Sequence, residues 1–120
     1  MLGQLQKNVY DAPLKFCAEG TGWKRDGFCS HRKADGGKHL VCARMTNRFL
    51  DFTKERGNDL TSPSGSFKGL KEGDKWCICA SRYAEAKREG MEPEDVDWSA
   101  THKKALEWNV TQPEESSSSS

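Results

Sequence analysis

An α+β fold, with a short sheet of three to five strands, about three helices and long loops, is the class this sequence of 120 residues predicts. Three observations carry it. Leu, Ile, Val and Phe supply only 18 of the residues, and the five that are Val or Ile are too few for a large sheet. The spacing of apolar residues changes along the chain, helical around residue 50 and alternating around residue 77. Glycines punctuate the intervals, with six of the eleven falling in residues 1–38.

Taken in order, residues 1–38 show neither period and read as loops with at most short strands, anchored by Tyr10, Phe16, Trp23 and Phe28. Leu40-Val41-Cys42-Ala43 is a candidate buried strand. Thr46 can cap a helix over 46–56, in which Phe49, Leu50 and Phe52 share one face and Gly57 supplies the stop. Residues 57–74 form a long loop ending in a turn at Lys71-Glu72-Gly73-Asp74. It delivers the chain into a strand, Lys75 to Ala80, where Trp76, Ile78 and Ala80 face one way and Cys77, Cys79 and Ser81 the other. Both sets are apolar or small, so this strand should be buried on both sides. Ser81 is positioned to cap a helix over 81–89 that Gly90 and Pro93 end. Val96-Asp97-Trp98 reads as a connector or edge strand, and a last helix spans 100–108. Residues 1–110 are expected to make a single globular domain, and the serine-rich tail at 111–120 has nothing to bury and is expected to be disordered.

Composition limits the function classes. The aliphatic content is low enough for disorder, but 19 basic and 18 acidic side chains leave a net charge of only +1, which disorder of the whole chain does not fit. The core must then draw on four Trp, five Phe and five Cys. No apolar run suits a signal peptide or a membrane span, so the chain reads as a soluble cytoplasmic protein with no membrane partner. An odd number of cysteines in such a chain (Cys17, Cys29, Cys42, Cys77, Cys79) disfavours a full disulfide framework and makes reduced, largely buried thiols the default. Residues 1–56 carry 11 basic and 6 acidic groups, and residues 57–120 carry 8 and 12. Halves of opposite sign attract one another, and the basic run from Lys24 to His39 is broken by Asp26 and Asp35 and has no aromatic ladder, so nucleic acid is disfavoured as a partner.

Several separated motifs, in one order, resemble a small family known as domain of unknown function 2237. They are Thr21-Gly22-Trp23 with Arg25-Asp26-Gly27 and Cys29, the run Gly37 to Ala43, Arg56-Gly57-Asn58-Asp59-Leu60, the run Phe67 to Ala80, and Ala100-Thr101-His102. The likeness covers about residues 8–108, with Tyr83 standing where family members often carry Trp. It implies a single-domain α+β protein, found mainly in bacteria. It implies no activity and supplies no catalytic residues.

The residues themselves offer two kinds of site. A long loop that opens with Asn58 and Asp59, beside a strand bearing Trp76 and a helix start bearing His102, has the polar groups and apolar walls of a cleft for a small ligand or a protein partner. Arg25 suits an anion there, because a guanidinium fork matches carboxylate or phosphate. Set against this, Asn58 and Asp59 can simply tie the loop to its own backbone, and His102 can pack within its own helix turn. The alternative is a thiol-redox or metal-dependent enzyme using Cys42, Cys77 and Cys79. A bond between Cys77 and Cys79 would be strained at a Cα separation of roughly 6.5–7 Å, leaving Cys29 or Cys42 as the redox partner. Zinc could draw on Cys29, His39, Cys42, Cys77, Cys79 and His102, but the single C-x-C pair lacks knuckle spacing. No metal or other cofactor is therefore expected.

Overall fold

The structure, a computed structural model, describes residues 6–22, 25–31, 38–65 and 67–108. The serine tail, Trp23, and Lys24, Arg32, Lys33 and Asp35 of the basic segment lie outside the described residues. At the centre, β1 (His39–Arg44) and β2 (Lys75–Cys79) pair antiparallel, with Cys42 opposite Cys77 and Ala43 opposite Trp76. A register shift between His39 and Val41 leaves Leu40 as an extra residue. That bulge interrupts the alternation, so Leu40 and Val41 both enter the apolar core.

Helix α1 (Asn47–Glu55) begins where the sequence places it. The Thr46 hydroxyl accepts the Phe49 N–H at 3.1 Å, and Phe49, Leu50 and Thr53 are buried. The helix closes with Asn58 N–H on the Thr53 carbonyl at 2.8 Å and Gly57 N–H on that of Lys54 at 3.1 Å. Such a double closure needs a left-handed residue, which Gly57 provides at φ 94°. Helix α2 (Ala80–Arg88) leaves β2 directly. Cys79, not Ser81, occupies its cap position and makes no side-chain capping bond. Ser81 lies inside the helix, with its Oγ 3.1 Å from Cys79 Sγ.

β2 is covered on both faces, as its composition predicts. Trp76 and Ile78 join Phe49, Leu50, Tyr83 and Ala84 in the main core, while Cys77 points into a second cluster with Cys17, Cys29, Cys42 and Ala100. Three expectations need correction. The sheet has two strands among the described residues, not three to five. Further pairing is limited to isolated bridges, such as Ala43 with Val96 and Asn8 with His102. The free edge of β1 is satisfied by irregular chain: Asp97 N–H bonds the Cys42 carbonyl, His102 N–H the Leu40 carbonyl, and the Cys42 N–H the Thr101 hydroxyl at 3.1 Å. Short polar side chains divert that chain from strand geometry, since Thr101 Oγ1 donates to the Asp97 carbonyl and Ser99 Oγ to the Asp97 carboxylate.

The same bonding explains the second correction. The last helix is two 3-10 segments, Trp98–Ala100 and Lys103–Trp108, rather than one α-helix over 100–108. Ala100 N–H and Thr101 N–H reach back three residues, to Asp97 and Trp98, and Thr101 itself is extended. The third correction concerns sulfur. Four of the five cysteines are not reduced: Cys17 is bonded to Cys42 and Cys29 to Cys77, leaving Cys79 as the free thiol. All four bonded residues are buried, as expected for core cysteines. No helix among the described residues is long and apolar enough to cross a membrane.

Candidate functional site

A hollow of about 680 Å³ lies between the turn at residues 18–21 and Arg25 on one side and residues 67–70 and 74–76 on the other. Its walls are set by local chemistry. On the N-terminal side, Thr21 donates its hydroxyl to the Ala18 carbonyl at 2.8 Å, and Arg25 N–H bonds the Gly22 carbonyl at 3.0 Å. Gly22 is obligatory there, because at φ 89° a Cβ would stand 2.2 Å from the Phe28 carbonyl oxygen. On the opposite side, Leu70 N–H bonds the Leu60 carbonyl, folding the long loop back on itself. Gly69 permits that fold, since a Cβ would meet the Thr61 carbonyl oxygen at 2.3 Å.

Inside the hollow the Arg25 guanidinium lies over the Trp76 ring, 4.8 Å from its centroid, and Phe67 packs against the same ring at 5.2 Å. Arg25 holds φ 60°, a left-handed conformation that costs a non-glycine residue on the order of 1 kcal/mol. The charges around the cleft are mixed. Lys75 is engaged by Asp97 at 3.3 Å and Asp74 by Lys71 at 3.6 Å. Arg25 and Lys68 remain on the positive side against Glu19.

The other predicted site residues are distributed around the molecule. Asn58 lines a smaller hollow of about 180 Å³ with His39, Trp76, Cys79 and Arg82, and donates its amide to Thr53 Oγ1 at 3.2 Å. Asp59 is occupied by its own turn, accepting from Thr61 N–H, Thr61 Oγ1 and Ser62 Oγ at 2.7–2.9 Å. Those donors hold its carboxyl well below the usual carboxylate range. His102 lines a third hollow of about 650 Å³ with His31 and Leu106. Burial, aided by the charges of His31 and Lys104, pushes its pKa down to about 4. Its Nδ1 accepts the Lys104 N–H at 3.0 Å, which suits the neutral ring. Of the five residues, Arg25 and Trp76 meet in one cleft, Asn58 and Trp76 both line a smaller one, and Asp59 and His102 are engaged elsewhere.

The thiol set is rearranged as well. Cys42 and Cys77 are cross-strand neighbours, but each is bonded to a loop cysteine, so neither offers a thiolate in this state. Cys79 stands apart beside His39. The sulfurs of Cys17, Cys29 and Cys42 lie within 4.8 Å of one another. Cys17 belongs to neither the thiol set nor the zinc set that the sequence suggests. No local signal marks it: its neighbours in the cluster are 12, 25 and 60 residues away, and only the folded loop unites them.

A family profile described as "Uncharacterized protein conserved in bacteria (DUF2237)" matches residues 7–113. The chain belongs to this family. The match takes in both disulfides, both helices and every wall of the cleft, so the DUF2237 assignment covers the whole described architecture. A search of the curated proteins finds no match.

Proposed function

We propose that this DUF2237 chain is a binding domain that takes a small molecule carrying a carboxylate or phosphate and a flat apolar part, in the cleft between residues 18–21 with Arg25 and residues 67–70 with 74–76. The observation that carries the reading is the Arg25 guanidinium held over Trp76 at the wall of the 680 Å³ hollow. Stacked on the indole, the Arg25 guanidinium donates one N–H to the Gly22 carbonyl at 3.3 Å and has further N–H groups to offer an anion, and Trp76 with Phe67 supplies the apolar wall. The strained backbone at Arg25 agrees with this, since such conformations gather at binding sites when the surrounding structure holds them in place.

Benzoate and phenyl phosphate are suitable probes. Titration of the intact protein should change Trp fluorescence saturably, and Trp76→Phe should abolish the change while the other tryptophans still report folding. Arg25→Asn, which tolerates the left-handed backbone, should weaken binding about tenfold or more, as loss of a charge-assisted fork does. Equal affinity in Arg25→Asn and the parent protein would remove the reading. A cytoplasmic location, expected from the sequence, is compatible with two disulfides only if they are shielded or take part in exchange, because reducing compartments open accessible structural bonds. The four sulfur-bearing residues are 0–5 % exposed.

A further inference from the structure

The loop from Cys17 to Cys29 is drawn closed by its own backbone, with Cys17 N–H and Ala18 N–H both donating to the Gly27 carbonyl at 2.7 and 3.3 Å. This closure sets the two loop cysteines side by side over a second adjacent pair, Cys42 and Cys77, which face each other across β1 and β2. Each bond then joins one loop end to one strand. The consequence is that Cys29 Sγ lies within 4.8 Å of both sulfurs of the other disulfide. Two bonds placed to pin a loop need not touch. Here a sulfur of one is in reach of either sulfur of its neighbour.

We propose that the two disulfides form a single thiol–disulfide exchange site, in which opening Cys29–Cys77 with an external thiol lets the Cys29 thiolate attack the Cys17–Cys42 bond. The chemistry balances without an added oxidant. A thiolate of the external thiol attacks Cys77 Sγ, forming a mixed disulfide there and expelling Cys29 as thiolate. That thiolate displaces Cys17 from Cys42, or Cys42 from Cys17, so one S–S bond forms as one breaks. When Cys17 leaves, the thiolate is carried to the single member of the four with any exposure, 5 % against 0 % for the others, where it takes a proton from solvent. A second external thiol then attacks the mixed disulfide, releasing Cys77 thiolate and the oxidised external disulfide. Two thiols have been oxidised and one protein disulfide reduced.

The cleft wall marks the path inward. Thr21 lines the large cleft, and its Oγ1 lies 3.5 Å from Cys77 Sγ. The turn at residues 18–21 is thus the partition between cleft and sulfur. Exchange also changes what the bonds hold: a Cys29–Cys42 bond frees the Cys17 end of the loop, and with it the cleft wall that follows at Ala18 to Thr21. Nothing in this requires an anion in the cleft, so the inference stands apart from the proposed ligand.

Cys77→Ser isolates the decisive step, because it leaves Cys29 as a thiol beside an intact Cys17–Cys42 bond. The purified variant would be equilibrated at neutral pH without reductant, quenched in acid, alkylated and peptide-mapped. Cys17–Cys29 or Cys29–Cys42 linkages should appear in about a tenth of the molecules or more, with Cys79 alkylated throughout. Cys17–Cys42 alone would overturn the proposal. Should that variant fail to fold, the parent protein with one equivalent of dithiothreitol gives the same reading from its half-reduced molecules. Non-native pairs confined to Cys17, Cys29 and Cys42 support exchange in the folded cluster. Native pairs only, or pairs that recruit Cys79 as often as the rest, overturn it, the latter because scrambling then runs through the unfolded chain.

Discussion

On one face of the β1–β2 pair, Val41, Ala43, Trp76 and Ile78 meet the side chains of α1 and α2, with Phe49, Leu50, Tyr83 and Ala84 closing over them. On the other, Cys42 and Cys77 meet Cys17 and Cys29, delivered by a loop that has no helix or strand among its described residues. The first face is held by burial of apolar area, at roughly 25 cal/mol for each Å² removed from water. The second has little area to bury and is held by covalent bonds. A chain with so few aliphatic residues can cover one side of its sheet with helices but not both, and the difference shows where each means of holding is used. The cleft lies along the boundary, with one wall from each region.

The sharpest way to break the comparison is to remove the sulfur. The bonds join residues 25 and 48 apart, and the chain-entropy model assigns roughly 3.5 and 4 kcal/mol to closures of that length. Replacing all four bonded cysteines with alanine should therefore lower stability in urea by about 7 kcal/mol, a large part of what a domain of this size has. Cys79→Ser should change it by less than about 0.5 kcal/mol, since that thiol forms no disulfide and a serine can keep its contact with Ser81. A loss under about 1 kcal/mol for the quadruple variant would mean that packing holds the loop face after all.

On the helical face the matching change is Phe49→Ala, at a residue with no exposed surface. Truncating a buried Phe costs about 3–5 kcal/mol in lost transfer energy and cavity. The two disulfides should survive this variant, as judged by the count of alkylatable thiols in native buffer. A variant that loses both stability and disulfides would show the faces to be one cooperative structure.

The wall between the regions gives a smaller effect. Gly69→Ala places a Cβ against the Thr61 carbonyl oxygen at φ 86°, whereas Gly73→Ala, at φ 96°, meets open space. The backbone penalty alone is about 1 kcal/mol, and the clash should at least double it for Gly69. Urea melts of the pair read the difference directly, and equal losses would show that the long loop yields freely. Only the Gly69 variant should also weaken benzoate binding.

How much of this was legible from sequence follows the same division. Thr46, the Phe49-Leu50 pair and Gly57 announced α1, and alternation through Trp76, Cys77 and Ile78 announced both faces of β2, because helices and strands write their periods locally. The loop face wrote no period. Its order depends on which cysteines meet, and contacts spanning 25 and 48 residues leave no mark in spacing. The 3-10 segments were missed for a different reason: Asp97, Ser99 and Thr101 bond to nearby backbone and side chains, a competition that apolar pattern does not register. At the site, Asn58 and Asp59 turned to the local roles that residues of their kind favour, a helix closure and a side-chain turn. The contact of Arg25 with Trp76 joins residues 51 apart and is as invisible in spacing as the disulfides.

The smallest effect concerns His102, which ties the chain beyond both faces to β1 through its N–H on the Leu40 carbonyl. Its pKa falls from an ordinary 6.5 to about 4 because burial, with the charges of His31 and Lys104, disfavours the imidazolium. Between those values the unfolded chain binds a proton that the folded chain refuses, so unfolding gains as the pH drops. Stability should be level above about pH 6.5, fall as the pH goes from 6.5 to 4, and gain no further loss from this residue below that. The full difference would be about 3 kcal/mol, and partial solvent screening brings the expected loss to roughly 1–2 kcal/mol. The carboxylates of Asp11, Asp59 and Asp97 titrate below their ordinary 3.8, so their loss of stability begins near pH 5 and falls mostly below pH 4, and the interval from 6.5 to 5 belongs to the histidine. His102→Gln should flatten the curve between pH 6.5 and 4 in urea melts while leaving the neutral-pH disulfide count unchanged. A curve equally steep in that variant would move the titration to another group and leave His102 as ordinary packing.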